Sequence, residues 1–178
     1  GRRKEARAIA NELVEDIKIT GNHERAVGRL PIISEAHMLD GEWETARDMC
    51  LEVLEVYNPE TDIEIGIKYG LQPKSSVQYY LSRMYCGLGY PNKAREYIEA
   101  SLKEANEVGH LVSLTLSHNY LAILGSMLFD KTMVTEAVNR YERDHGDKTG
   151  NDWVLPYLYM LVAWSKGDTE YAEQFVID

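Results

Sequence analysis

The sequence predicts an all-α protein of antiparallel helical hairpins stacked side by side, and three observations lead there. Apolar residues recur with helical spacing through most of the 178 residues. Short turns marked by glycine, aspartate or proline interrupt that spacing at helix-like intervals. An alanine then follows several of the turns at one fixed distance.

Residues 3 to 19 place Ala6, Ile9, Ala10, Leu13 and Ile17 along one stripe, and Gly21-Asn22 ends that helix. Further breaks fall at Asp40-Gly41, Asn58-Pro59, Gly89-Tyr90-Pro91, Gly109, Asp130-Lys131, Gly146 to Asn151 and Gly167-Asp168. Thr61 to Tyr69 differs, because Ile63, Ile65 and Ile67 alternate as in a strand. No obvious partner strand accompanies it, so it is read as an extended, partly packed loop. Pro156 lies near a helix start signalled by Asn151 and Asp152, where a missing N–H costs little. Pro31 lies inside the run His23 to Leu39 and predicts a helix that kinks or starts late.

The expected organisation is one domain over residues 1–178. It comprises a partial hairpin at 1–21, a long loop at 58–74, and hairpins at 22–57, 75–107, 110–145 and 151–178. The chain opens without Met on what reads as the second half of a hairpin, and stops about ten residues into another helix. A piece of a larger protein is expected, since helical stacks normally close with polar capping helices.

Composition excludes several classes. At 44% hydrophobic and 27% charged, the chain falls among globular proteins. Its apolar runs are far shorter than the roughly 20 residues needed to span a bilayer. No secretory h-region follows Gly1-Arg2-Arg3-Lys4. Cys50 and Cys86 form no Cys-x-x-Cys pair and read as small packed residues of a reducing compartment, which points to the cytoplasm. A net charge of −10 argues against nucleic acid, whose phosphates call for Lys and Arg. From Asp40 to Glu64 nine carboxylates accompany one base, Arg47. This is read as a solvated face, with a surface for a basic partner as the alternative.

The fixed distance links Gly41 to Ala46, Gly89 to Ala94, Thr132 to Ala137 and Gly167 to Ala172. Antiparallel helices approach most closely near their turn, and a small residue there lets the backbones meet. These residues resemble the tetratricopeptide repeat, a 34-residue helix–turn–helix unit. Residues 75–108 carry Leu81, Ser82, Tyr85, Gly89, Ala94 and Ile98 in its pattern. Residues 118–151 carry Leu121, Leu124, Gly125, Leu128, Ala137 and Tyr141. Residues 27–60 carry Leu30, Ile33, Ser34, Gly41 and Ala46. The alanines are spaced by 48, 43 and 35 residues, so the implied architecture is an irregular, tetratricopeptide-like, right-handed α-solenoid.

A narrower resemblance runs over residues 27 to 145. Tyr57-Asn58-Pro59, Tyr69-Gly70-Leu71-Gln72-Pro73, Leu88-Gly89-Tyr90-Pro91-Asn92-Lys93-Ala94 and Val108-Gly109-His110 look like the C-terminal repeat array of bacterial signalling ATPases. Those proteins join an ATPase module to a nucleotidyl cyclase, kinase or DNA-binding output. Gln72 stands where that pattern usually has an acid. The resemblance implies a regulatory, protein-binding module whose ATPase lies outside this chain, because no Gly-x-x-x-x-Gly-Lys-Ser/Thr loop occurs here.

No catalytic residue, metal site or cofactor is assigned. His23, His37, His110, His118 and His145 form no His-x-x-x-His pair, and Gly109 interrupts the spacing of Glu107 and His110. His37 reads as a satisfied core histidine. His145 with Asp144 and Asp147 is a compact cluster, in a turn where solvated residues are the default. No Gly-x-Ser-x-Gly elbow supports a hydrolase.

In the repeat family the first helix of each hairpin lines a concave groove. Carried over, its groove positions are Glu35 in the first copy, Ser76, Tyr79, Arg83 and Cys86 in the second, Asn119, Ala122 and Ser126 in the third, and Tyr157 in the fourth. Tyr, Arg, Ser and Asn suit a peptide or a neighbouring domain. Replacing Tyr79 and Arg83 by alanine is then expected to weaken binding while leaving helicity intact. The alternatives are a small-ligand sensor or helical enzyme beside the 58–74 loop, and an architectural array that self-associates through its open ends.

Overall fold

Helix starts are set by local chemistry. Asn22 accepts a hydrogen bond from the Arg25 N–H, Asn58 from Glu60, Gln72 from Ser75 and His110 from Ser113. Pro59, Pro73 and Pro91 each occupy a first helical position, where no N–H is missed. The computed structural model describes residues 3–145 and 154–168. Among the described residues nine helices follow one another: α1 Arg3–Thr20, α2 His23–Leu39, α3 Trp43–Val56, α4 Pro59–Tyr69, α5 Pro73–Gly87, α6 Pro91–Val108, α7 Leu111–Met127, α8 Lys131–His145 and α9 Val154–Lys166. The all-α expectation holds, and no strand occurs among these residues.

Consecutive helices pack in pairs, α2 on α3, α5 on α6 and α7 on α8, while α1 leans on α2. Across the pairs, α2 touches α5, α5 touches α7 and α7 touches α9, so these four run as one layer. Ala46, Ala94 and Ala137 are fully buried, as expected of small residues at close helix crossings. Ala172 lies outside the described residues, as does everything after Asp168 in the expected hairpin 151–178.

Three turns share a glycine in the left-handed region, Gly41, Gly89 and Gly167. At the corresponding place between α7 and α8 stands Phe129, with φ 54° and a side chain 88% exposed. A bulky residue in that region is strained, and nothing apolar is buried in return.

Two expectations are corrected. Pro31 does not make its helix start late: α2 starts at His23, where Asn22 caps it, and includes Pro31 within its span to Leu39. The lost ladder bond is offset by burial of the proline with its neighbours Leu30 and Ile33. The segment 58–74 is also no extended loop, because Pro59–Tyr69 is α4. Asn58 caps it, Pro59 begins it, Glu60 and Asp62 favour its N-terminus, and Gly70 closes it in the left-handed conformation. The isoleucine alternation misled because only one helix face is buried: Ile65 is packed and Ile63 is 40% exposed. Tyr69 lies so close to Gly28 that a β-carbon there would come within 2.6 Å of its ring. That contact seats α4 against α2.

Asp62 locks the start of α4. Its buried carboxylate accepts the Asn58 N–H at 2.8 Å and the Thr61 hydroxyl at 2.9 Å, and lies 2.9 Å from His23 Nε2. Burial pushes its carboxyl up, but these hydrogen bonds outweigh burial and hold it below the ordinary 3.8. A lowered folded pKa contributes stability that is full above the unfolded value and lost as pH falls through the folded one. Asp62→Asn is therefore expected to cost about 2 kcal/mol at neutral pH. In acid the gap between variant and wild type should close, which denaturant titrations at about pH 7 and pH 3 would measure.

Candidate functional site

The layer α2–α5–α7–α9 carries the predicted groove residues, and a buried polar seam fixes its register. Ser101 Oγ on α6 lies 2.7 Å from Ser117 Oγ on α7 and donates to the Ser75 carbonyl on α5 at 2.8 Å. Ser113 Oγ accepts the Gln72 N–H at 2.9 Å. Each of these buried groups has a partner, so a slip of α7 against α5 would orphan several at once.

That register brings tyrosines from two helices together. The Tyr79 ring stacks on Tyr120 with centroids 4.4 Å apart and planes at 20°. Tyr80 meets both edge-on, at 4.6 and 5.6 Å. Glu35 on α2 lies against the group, accepting the Tyr80 hydroxyl on Oε2 at 3.1 Å and the Tyr120 hydroxyl on Oε1 at 3.3 Å. Burial pushes the Tyr79 hydroxyl up to about 12. Burial also raises Tyr80, with Tyr79 beside it adding to the effect, and raises Tyr120, where the negative charge of Glu35 adds to it. Both hydroxyls that serve Glu35 therefore remain protonated donors at neutral pH.

Arg83, one turn beyond Tyr79 on α5, is half-buried and forms no ion pair with Glu35. Its charge acts on Tyr120 and on Tyr157, opposing the upward push of burial on both phenols. Glu35 and Tyr79 are thus brought together through Tyr80 and Tyr120, and the charge of Arg83 reaches Tyr120 and Tyr157. Asn119 immediately precedes Tyr120; it is 9% exposed, and its Oδ1 has no hydrogen-bond partner among the described residues.

The other groove residues serve their own helices. Ser76 is buried and donates to the Gln72 carbonyl at 2.8 Å, and Ser126 donates to the Ala122 carbonyl at 3.0 Å. Tyr79 is 1% exposed, so it supports the face from beneath. Sequence reasoning missed Tyr80 and Tyr120. The available signal was the run Gln78-Tyr79-Tyr80, since adjacent residues on one helix point only about 100° apart, and packing that reaches one aromatic ring often reaches its neighbour.

The remaining candidates resolve into packing. His37 is buried with Nδ1 2.8 Å from Glu42, while its Nε2 has no hydrogen-bond partner among the described residues. Glu42 also pairs with Arg7, which holds its carboxyl below the usual range, so this member of the acidic stretch ties α1 to the α2–α3 turn. Asp40 shares the Arg7 guanidinium at 3.3 Å, and Asp62 is a further acid of that stretch with a structural task. Buried His118 faces the Leu114 carbonyl at 2.8 Å and Asp144 at 3.2 Å. The cluster expected around His145 lies outside the described residues in Asp147 and in the His145 side chain. Burial pushes the Cys50 thiol up to about 12, leaving it inert at neutral pH.

Among the described residues no group of three or more His, Cys, Asp or Glu is placed to hold a metal ion. No described helix is long and apolar enough to cross a membrane. The segment expected as a 58–74 loop is built around α4. Clefts of about 450 and 240 Å³ lie instead between α8 and α9, lined by Val138, Tyr159 and Val162, and beside the α7–α8 turn, lined by Phe129 and Trp164. Comparison with family models, with curated proteins and with solved structures returns no match.

Proposed function

We propose that this chain is a protein-interaction scaffold, an irregular tetratricopeptide-like solenoid whose α2–α5–α7–α9 layer forms the concave face that receives a polypeptide segment. The observation that carries this reading is the joining of three successive helices of one layer at one spot: Glu35, Tyr80 and Tyr120 meet there, with Arg83 alongside. Tyrosine and arginine are the side chains that dominate protein interfaces; Arg83 and Tyr157 are half-buried and accessible, while Tyr80 and Tyr120 are buried and fix Glu35 from beneath, which lowers the entropy lost on binding. The resemblance to the repeat arrays of bacterial signalling ATPases supports a role in the regulatory part of a larger cytoplasmic protein, where occupancy of the face would bias a neighbouring output domain.

A selection of random displayed dodecapeptides on the immobilised chain tests this. Enriched peptides are expected to lose at least about tenfold in affinity against Arg83→Ala and Tyr157→Ala, the equivalent of about 1.4 kcal/mol. Both side chains are only half-buried, so thermal stability should stay near wild type. No enrichment over an unrelated helical protein, or affinities that ignore both variants, would remove the concave face from consideration.

One observation favours a second reading, self-association. Phe129 is 88% and Trp164 58% exposed, on the same cleft beside the α7–α8 turn. Strain at Phe129, where the other turns use glycine, supports a role for that ring at a contact.

A further inference from the structure

The carboxylate of Glu35 is the best-oriented charge on the concave face. Each of its oxygens accepts one tyrosine hydroxyl, Oε2 from Tyr80 and Oε1 from Tyr120. A carboxylate has about four acceptor directions, so roughly two remain. The two donors come from different helices, α5 and α7, and their rings are held against Tyr79, Tyr120 by stacking and Tyr80 edge-on. The carboxylate is therefore fixed in position before anything binds. Glu35 itself is half-buried, leaving it reachable from solvent.

No cation serves it. Among the described residues no Lys, Arg or His lies within ion-pair distance of Glu35, although many other carboxylates here have such a partner, among them Glu24, Glu42, Asp48, Glu104 and Asp130. The cation whose influence reaches this cluster is Arg83, which acts on Tyr120 and Tyr157. The face thus carries a negative group on α2 and a positive one on α5. Among low-polarity aromatic walls an added ion pair is worth more than at an open surface, because water screens it less.

We infer that Glu35, held by Tyr80 and Tyr120, is the subsite for a basic side chain, lysine or arginine, of the bound polypeptide segment. The ammonium or guanidinium donates to the free lone pairs of the carboxylate, while the Tyr80 and Tyr120 rings, 5% and 8% exposed, hold that carboxylate from beneath. Arg83 sets the polarity of the segment, because it repels a second basic residue at α5 and favours an acidic one there. The partner is therefore a segment with a basic residue seated at α2 and an acidic group displaced toward Arg83 on α5. This rests on the interaction reading above, and adds to it the chemistry of the ligand.

The test uses the same display selection on the full chain. Enriched peptides are expected to share a Lys or Arg at one position. Replacing that residue by methionine should lower affinity for wild type at least about tenfold. Glu35→Gln, which keeps an acceptor for the tyrosine hydroxyls, should lose as much for the parent peptide. It should lose little more for the methionine peptide, since one interaction cannot be removed twice. Tyr120→Phe should give an intermediate loss of about threefold, because it frees one oxygen of the carboxylate without removing its charge. The peptide-side replacement leaves the protein untouched, so it decides the matter even if Glu35→Gln were poorly folded.

Enriched peptides without a shared basic residue would overturn the inference. Peptides that lose affinity against Arg83→Ala but are indifferent to Glu35→Gln would overturn it too, while leaving the interaction reading standing. Failure to enrich any peptide would sink both.

Discussion

Tyr79→Ala is expected to lower the stability of the fold by about 4 kcal/mol, the scale for truncating a buried aromatic side chain. Tyr79 is 1% exposed, stacks on Tyr120 and supports Tyr80 edge-on. Truncation leaves a cavity where three helices meet and removes the surface that orients both donors to Glu35. Arg83→Ala, in contrast, should stay within about 0.5 kcal/mol of wild type, since the half-buried guanidinium loses little packing. Denaturant titration of the two single variants measures the difference. A Tyr79→Ala variant as stable as wild type would mean that the ring lies on the face and not under it. Groove register alone implies that a Tyr79 and Arg83 double replacement leaves helicity intact. The buried ring makes that double variant a test of folding before it is a test of binding.

Ala94→Leu is the second large effect, at about 3 kcal/mol destabilising. Ala94 is completely buried near the start of α6, where that helix comes off its turn and packs on α5. A leucine must push α6 away from α5, and the displacement would strain the Ser75–Ser101–Ser117 seam that holds α5 and α7 in register. Ala100→Leu on the same helix is the control, because Ala100 is only half-buried. Thermal melts should separate the two, with a marked fall for Ala94→Leu and little change for Ala100→Leu.

Helices and crossings were legible because both are local signals. A buried stripe imposes a 3.6-residue period on each helix, and a close crossing imposes a small residue soon after its turn. Ala46, Ala94 and Ala137 stand out by their distance from a turn alone, and all three are fully buried. Helix α4 was hidden because Ile63, Ile65 and Ile67 carry a strand-like rhythm that its burial does not follow. Its true signals were Asn58-Pro59, the acids of its first turn and Gly70.

The Glu35 cluster was legible only in part. Glu35 lies 45 residues from Tyr80 and 85 from Tyr120 in sequence, and no local pattern links them. Repeat register brought Glu35, Tyr79, Arg83 and Tyr157 to one layer. It could not tell that both rings of the Tyr79-Tyr80 pair would be covered, because that depends on how α7 docks. The docking is fixed by serines, which carry no distinctive sequence signature.

The most direct measurement is amide chemical-shift mapping of the labelled chain during titration with a peptide enriched by display. Perturbations are expected along α2, α5 and α7, centred on Glu35, Tyr80, Arg83 and Tyr120, with α3, α6 and α8 unmoved. Perturbations confined to α3, α6 and α8, or to the turn at Phe129, would contradict binding on the concave face.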